Sequence, residues 1–289
     1  MPNTAERGAH TFQDAEGVTI HYYGWQATKP RGVVQIIHGV GEYAFRYEEL
    51  AQSLVAGGYT VYASDLRGHG QTGLGQHGGD HAKLGKLGPG GVPATLAGLR
   101  KLSGILHDQH PKLPLILLGH SLGSIFAQKM LNEDAAPYAA AVLSGTPYRT
   151  VLHMNSGDLS KRHAVPGGTG TEWLSRDPAV WTRFANDPLT FDAKVAKLFG
   201  LREALRLLGR PTKISHDLPL LIQIGSEDPL GGPRSVELLA AAYRKRGGLS
   251  DVTVEIYEGA RHEVYNETNR REVMADLVTW LDERVTQKV

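Results

Sequence analysis

The residue types best suited to chemistry surround Ser121, which is the centre of a Gly-x-Ser-x-Gly motif. The apolar run 115–118 before it predicts a buried strand, and the amphipathic run 122–133 after it predicts a helix. A serine at the apex of such a turn projects its hydroxyl above the sheet, and only small residues fit two positions to either side. Gly119 and Gly123 meet this requirement. The helix start also points backbone N–H groups at an anion formed beside Ser121.

An acidic residue and a histidine follow Ser121 along the chain, each after a predicted strand. A serine hydroxyl is a poor nucleophile until an imidazole takes its proton, and a carboxylate can fix the imidazole's tautomer. His262 follows the last predicted strand, and Asp228 follows the strand before it. Glu227 is the alternative acid, but Asp228 stands at the motif position. The sequence therefore predicts a triad of Ser121, Asp228 and His262.

Two backbone N–H groups are expected to complete this site. Attack on an acyl group produces an oxyanion, which needs two preorganised donors. Leu122, directly after the serine, supplies one. The loop after the predicted strand 33–37 is expected to supply the other, most simply through Val40.

Bulk composition narrows the classes of function. The chain has 289 residues, enough for one large domain with an insertion, and no cysteine, which removes disulfides and thiolate chemistry. Its formal charge is +1 without a long basic run, so no nucleic-acid partner is expected. Residues 1–7 are not a signal peptide, and no apolar run approaches the roughly 18 residues of a membrane span. We therefore expect a cytoplasmic protein, which could be peripheral at a membrane.

Other motif-like patterns lack the context that would make them functional. Residues 73–78 read G-x-G-x-x-G but open no predicted helix, so dinucleotide binding is not expected. His77 and His81 lack further ligands at metal spacing. The glycosylation pattern at Asn266 has no secretory signal before it. The sequence therefore predicts no metal and no cofactor.

The elements that must position these residues alternate between strand and helix. Strands are predicted at 10–14, 18–25, 32–37, 59–63, 115–118, 138–144, 218–224 and 252–257, and helices at 47–56, 92–110, 122–133, 234–246 and 269–285. A glycine-rich loop is predicted from 65 to about 91. This alternation predicts an α/β fold with an open, mostly parallel sheet, where active sites lie at the carboxyl ends of the strands.

The alternation stops between residues 147 and 215. This stretch contains a polar, glycine-containing segment (155–170) and two predicted helices, 177–185 capped by Ser175 and 192–208. We interpret 147–215 as a cap inserted over the sheet, and 1–146 with 216–289 as the core. The second helix has an apolar face that could line an acyl tunnel, rest on a membrane, or pack on the domain below.

Several segments together resemble the α/β-hydrolase superfamily, and within it the monoacylglycerol lipase and lysophospholipase branch, the serine aminopeptidase S33 type. They are HGVGE (38–42), DLRGHG (65–70), GHSLG (119–123), GSEDP (225–229) and GARH (259–262), with WLSRDP (173–178), NDPL (186–189) and HEVYNE (262–267) favouring the branch. One departure is Thr72, where the family loop often has serine. The resemblance implies an α/β-hydrolase fold with a helical cap, and hydrolysis of a monoacylglycerol or lysophospholipid ester through an acyl-Ser121 intermediate.

The fold and triad fix the reaction type but not the pocket. The same residues could act on a small carboxylester, lactone, thioester or amide, or remain in a non-catalytic ligand receptor. The expected partner is a small acyl ester, lipid in character, with transient contact between the cap and a membrane surface. The sequence makes no prediction of oligomeric state.

Overall fold

The computed structural model describes residues 5–155 and 157–285, so most of the segment 1–7 considered above lies outside the described residues. Within them, eight strands form one sheet in the order β1-β2-β4-β3-β5-β6-β7-β8. The strands are β1 (Arg7–Gln13), β2 (Thr19–Trp25), β3 (Gly32–Ile37), β4 (Tyr59–Ser64), β5 (Leu115–His120), β6 (Ala140–Ser144), β7 (Leu220–Gly225) and β8 (Val252–Tyr257). Only β2 runs antiparallel to its neighbours, which confirms the predicted mostly parallel sheet.

Helices cover both faces of the sheet. They are α1 (Glu48–Ala56), α2 (Gly70–Gln76), α3 (Gly91–Gln109), α4 (Leu122–Glu133), α5 (Pro178–Asn186), α6 (Val195–Phe199), α7 (Leu201–Leu205), α8 (Gly232–Ala242) and α9 (Arg270–Arg284). The cores of α3, α4 and α8 belong to one hydrophobic cluster, and those of α1 and α9 to another. Because β3 to β7 are covered on both faces, every residue in these five strands is buried, as their continuous apolar runs predict. Strands β1, β2 and β8 each keep some exposed residues.

Three local predictions were wrong in detail, each because of backbone conformation. The glycine-rich stretch after β4 contains the short helix α2 and a turn of 3-10 helix at His81–Lys83. The helix predicted at 192–208 is divided into α6 and α7, since Gly200 has a φ of 82°. Helix α5 is capped by Asp177, whose side chain accepts the Ala179 N–H, rather than by Ser175.

The described part of the insertion between β6 and β7 contains helices and irregular segments but no strand. Besides α5, α6 and α7, it contains short 3-10 helices at Leu159–His163 and Glu172–Leu174. A small hydrophobic cluster of its own, built on Leu174, Val180 and Phe184, lies in its centre. The division of the chain into core and cap at residues 147 and 215 stays a prediction.

Candidate active site

The turn between β5 and α4 holds Ser121 in an unusual backbone conformation. Its φ is 52° and its ψ is −119°, and no other described non-glycine residue has a positive φ. A β-carbon at Gly123 would overlap the carbonyl oxygen of Ile37, and one at Gly119 would overlap that of Gly123. The requirement for small residues two positions either side of the serine is therefore confirmed.

His262 and Asp228 meet at the carboxyl edge of the sheet. Nδ1 of His262 lies 2.9 Å from Oδ2 of Asp228, and both side chains are buried. The other carboxylate oxygen of Asp228 accepts the Leu230 N–H at 2.8 Å. Glu227 instead points outward and pairs with Arg162 at 2.6 Å. The structure thus joins the preferred acid, not the alternative, to the histidine.

This pairing shifts the pKa of both groups. Burial by itself lowers the pKa of His262, but the charge and hydrogen bond of Asp228, aided by Glu263 and Glu42, raise it above its usual value. Burial raises the pKa of Asp228, but the charge and hydrogen bond of His262, together with the Leu230 N–H, outweigh it, so that this pKa is lowered. The imidazole can therefore gain a proton without leaving its place, because its charged form has a partner.

The serine and the histidine pack around the same short piece of backbone. The Ser121 N–H donates to the Ser144 carbonyl at 2.9 Å, and a β-carbon on the next residue, Gly145, would lie 3.1 Å from Cε1 of His262. Nε2 of His262 is buried and has no hydrogen-bond partner in the described part of the chain. The ring nitrogen that would face a substrate or the serine hydroxyl is therefore unpaired.

The loop after β3 lies against Ser121. A β-carbon at Gly39 would be 3.0 Å from Cβ of Ser121. The Gly39 N–H donates to Oε1 of Glu42 at 2.5 Å, which fixes the loop from within. Within the described residues, 5–155 and 157–285, the N–H groups of Val40 and Leu122 donate no hydrogen bond that the structure shows. The assignment of these two amides as oxyanion donors stays a prediction.

A buried ionic cluster, not anticipated from the sequence, joins this loop to the histidine loop. Arg46 lies 3.2 Å from the carboxylate of Glu42 and 2.5 Å from that of Glu263, and all three side chains are largely buried. Tyr47 adds a hydrogen bond to Glu42 at 2.7 Å. The only signals in the sequence were that Glu42 follows the loop and that Glu263 follows His262.

His120, which precedes the serine, lies beside the candidate base. Its ring lies 4.8 Å from that of His262, and its Nδ1 is 3.2 Å from the Ser144 hydroxyl. Burial and the neighbouring His262 lower its pKa to about 3, so His120 is neutral packing for the candidate base. On another side, Trp173 of the insertion stacks on the His262 ring at 4.9 Å. The WLSRDP segment was the signal for Trp173, although it gave no role.

The DLRGHG segment (65–70) is hydrogen-bonded to the loop after β3, which lies against Ser121. Asp65 accepts the N–H groups of Ala44 at 3.0 Å and Gln71 at 2.8 Å. Nε2 of His38 accepts the Leu66 N–H at 2.9 Å. The loops after β3 and β4 are thereby tied together, and burial lowers the pKa of His38 to about 4.

Other kinds of site find no support in the part of the chain that is described. No three His, Cys, Asp or Glu side chains there are grouped to hold a metal ion. No described helix has the length and apolar character needed to cross a membrane.

Comparisons with known proteins agree on one family. The family described as serine aminopeptidase S33 matches residues 28–269. The monoacylglycerol lipase of Mycolicibacterium smegmatis is 33% identical over 96% of this chain and 98% of its own length. Human monoglyceride lipase is 27% identical over 94% of this chain and 89% of its own length. Among solved structures, a thermostable carboxyl esterase from Bacillus coagulans, in complex with glycerol, matches 98% of this chain and 100% of its own with a TM-score of 0.84 at 23% identity.

The pairing of His262 with Asp228 predicts distinctive titration behaviour. In a histidine NMR titration, we expect the His262 ring to titrate above the usual 6.5 and His120 not to titrate above pH 5. Asp228→Asn removes the charge that stabilises the imidazolium, so the His262 pKa should fall below 6.5. Glu227→Gln, at the exposed neighbour, is the control and should leave it unchanged. If the His262 pKa were unchanged in Asp228→Asn, this electrostatic account would be contradicted.

Proposed function

Because this chain belongs to the serine aminopeptidase S33 family of α/β hydrolases, we propose that it is a serine hydrolase that cleaves the ester bond of monoacyl lipids. Monoacylglycerols are the first candidates, since the relatives named above are monoacylglycerol lipases. Lysophospholipids are the second. The observation that carries the proposal is the buried hydrogen bond between His262 and Asp228, with the ring beside the strained turn at Ser121.

In the proposed first step, the Ser121 Oγ attacks the acyl carbonyl carbon while Nε2 of His262 takes the hydroxyl proton. Asp228 keeps its hydrogen bond to Nδ1 and stabilises the imidazolium. The carbonyl oxygen becomes an oxyanion and accepts the N–H groups of Val40 and Leu122. The tetrahedral intermediate collapses when His262 gives its proton to the leaving alcohol oxygen, and an acyl-Ser121 ester remains.

The second half returns the enzyme to its starting state. His262 takes a proton from a water molecule as the water oxygen attacks the acyl carbonyl carbon. The Ser121–acyl bond then breaks, Ser121 regains its proton from His262, and the fatty acid leaves. The unpaired Nε2 fits both proton transfers. Catalytic hydrogen bonds are often long in ligand-free structures and shorten when substrate binds.

The insertion supplies apolar surface for the acyl chain in this proposal. Val195 and Phe199 of α6 are half-buried and pack against the core beneath them, while Leu205 of α7 is exposed. The apolar face predicted for this region therefore has two parts. One part packs on the core, and the other part is exposed. An acyl chain is an apolar ligand that suits the exposed part of this face.

We also propose that the insertion touches membranes. Most described large hydrophobic side chains that remain exposed belong to it: Val151, Leu152, Val165, Leu201 and Leu205, against Leu238 and Ile256 elsewhere. Residues 147–215 contain eleven Lys and Arg against six Asp and Glu, although the whole chain is only +1. Exposed apolar side chains among basic ones suit a surface with anionic lipid head groups.

Replacing the candidate nucleophile tests the reaction directly. We expect Ser121→Ala to lose at least about 10³-fold in kcat on both a monoacylglycerol and a p-nitrophenyl ester, because no acyl-enzyme can form. It should also lose labelling by a fluorophosphonate, which the unaltered protein should show within minutes. The control is Ser250→Ala, at an exposed serine before β8. Full activity of Ser121→Ala would refute the mechanism, and an unaltered protein that neither hydrolyses nor labels would favour the receptor alternative.

Acyl-chain length separates a lipid substrate from a small ester. Each methylene buried in an apolar site contributes about 0.8 kcal/mol. We therefore expect kcat/KM to rise about threefold to fourfold per added CH₂ from butyrate to decanoate esters, until the site is filled. Assays below the critical micelle concentration keep the substrate monomeric. A flat or falling profile would favour the small-ester alternative.

The exposed side chains at the start of the insertion give a test of membrane contact. The double variant Val151→Ser, Leu152→Ser should bind at least about threefold more weakly to phosphatidylglycerol vesicles in sedimentation assays, since two apolar side chains no longer enter the lipid. Its activity on monomeric ester should be unchanged. Leu238→Ser, on α8 in the core, is the matched control. Equal binding by all three proteins would rule out this contact.

A further inference from the structure

Two segments of the insertion have no part in the chemistry so far: WLSRDP at 173–178 and NDPL at 186–189. Each lies where the insertion contacts a loop that carries a candidate active-site group. We propose that Tyr43 and Asp187 are positioning residues that hold the Val40 amide in place, and that residues 172–191, here called the anchored segment, form a fixed part of the active site. This inference rests on the function proposed above.

The anchored segment is hydrogen-bonded to the loop after β3 that contains Val40, here called the Val40 loop. The Tyr43 hydroxyl donates to Oδ2 of Asp187 at 2.7 Å, and Oδ1 of Asp187 accepts the Leu189 N–H at 2.9 Å. The Phe191 N–H donates to the Gly41 carbonyl at 3.1 Å. One carboxylate therefore orders its own turn and holds a side chain of the loop at the same time.

The Val40 loop needs such anchors because of its composition. Val40 lies between two glycines, which leave the backbone free to take many conformations. Gly41 has a φ of 80°, and a β-carbon there would overlap the Phe191 carbonyl. Gly39 is held by Glu42 from within the loop, whereas the Gly41 side is held from the insertion. An oxyanion donor works only at the right position, so loosening one side lowers the rate rather than binding.

The same segment is also fixed to the histidine loop, so it cannot move as a free lid. The His262 N–H donates to the Trp173 carbonyl at 3.3 Å, and the Glu263 N–H to the Leu174 carbonyl at 2.7 Å. The fully buried Glu267 accepts the Arg176 side chain at 2.9 Å and the Arg261 N–H at 2.8 Å. The anchored segment thus spans the site from the candidate base to the candidate oxyanion donor.

Tyr43→Phe is the most selective test, because it removes one hydroxyl and keeps the ring that packs near Phe45. We expect kcat to fall about tenfold while KM stays within about twofold. Inhibition by a long-chain alkyl trifluoromethyl ketone, whose adduct carries an oxyanion, should weaken about as much as kcat falls. Binding of a fatty acid, which lacks that oxyanion, should not change. If the role of Tyr43 were purely structural, the variant would have a lower melting temperature but no selective loss of kcat and ketone affinity over KM and fatty-acid binding.

Variants of the partner complete the design. Asp187→Ala should match Tyr43→Phe, and the double variant should be no worse than either, because both remove the same interaction. Asp187→Asn keeps an acceptor oxygen and should recover most of the activity. Asp192→Asn is the control, since Asp192 is exposed nearby and pairs with the exposed Lys194. Should Asp187→Ala fail to fold, Tyr43→Phe decides alone.

The outcomes separate this inference from the proposed function. If Tyr43→Phe retains the kcat and the ketone affinity of the unaltered protein while Ser121→Ala is inactive, the positioning role is wrong and the hydrolase assignment stands. If Ser121→Ala is fully active, the proposed function itself fails. Parallel losses in ketone and fatty-acid binding would also overturn the positioning role.

Discussion

The site depends on one close approach between backbones. The turn at Ser121 brings the start of α4 so near to the end of β3 that Gly123 has no space for a side chain beside Ile37. A non-glycine residue at positive φ costs on the order of 1–3 kcal/mol and persists only where its surroundings enforce it. Here β5 is hydrogen-bonded to β3 and β6 and is buried throughout. The sheet thus supplies the stability that keeps the serine in this conformation.

Burial also determines the pKa values of the histidines around the site. A buried imidazole loses its proton readily unless a carboxylate stabilises the charged form, and His120 and His38 show the uncompensated result. His262 differs because Asp228 is bonded to it and because Glu263 and Glu42 lie nearby. Those two glutamates share one salt-bridge partner, Arg46. Of these three histidines, His262 alone has a pKa raised above its usual value.

Local patterns in the sequence were enough to predict the parallel sheet, the turn at Ser121 and the order of serine, acid and histidine. Each of these depends on residues within one strand or on the loop directly after it. Contacts between distant parts of the chain could not be predicted in this way. Arg46 meets Glu263 across 217 positions, and Tyr43 meets Asp187 across 144. The placement of His120 against His262, 142 positions along the chain, depends on such packing too.

The insertion combines two physical roles that are separate along the chain. Residues 172–191 are rich in hydrogen bonds to the core loops, some between backbone groups and others through the charged side chains of Asp187 and Arg176. Beyond them, α6 and α7 are five residues each, are separated by a glycine, and leave Leu201 and Leu205 exposed. Short helices with few bonds to the core open at low free-energy cost. In the proposed arrangement, the first region holds the loops that carry His262 and Val40, and the second region is the part of the insertion with the lower cost of opening.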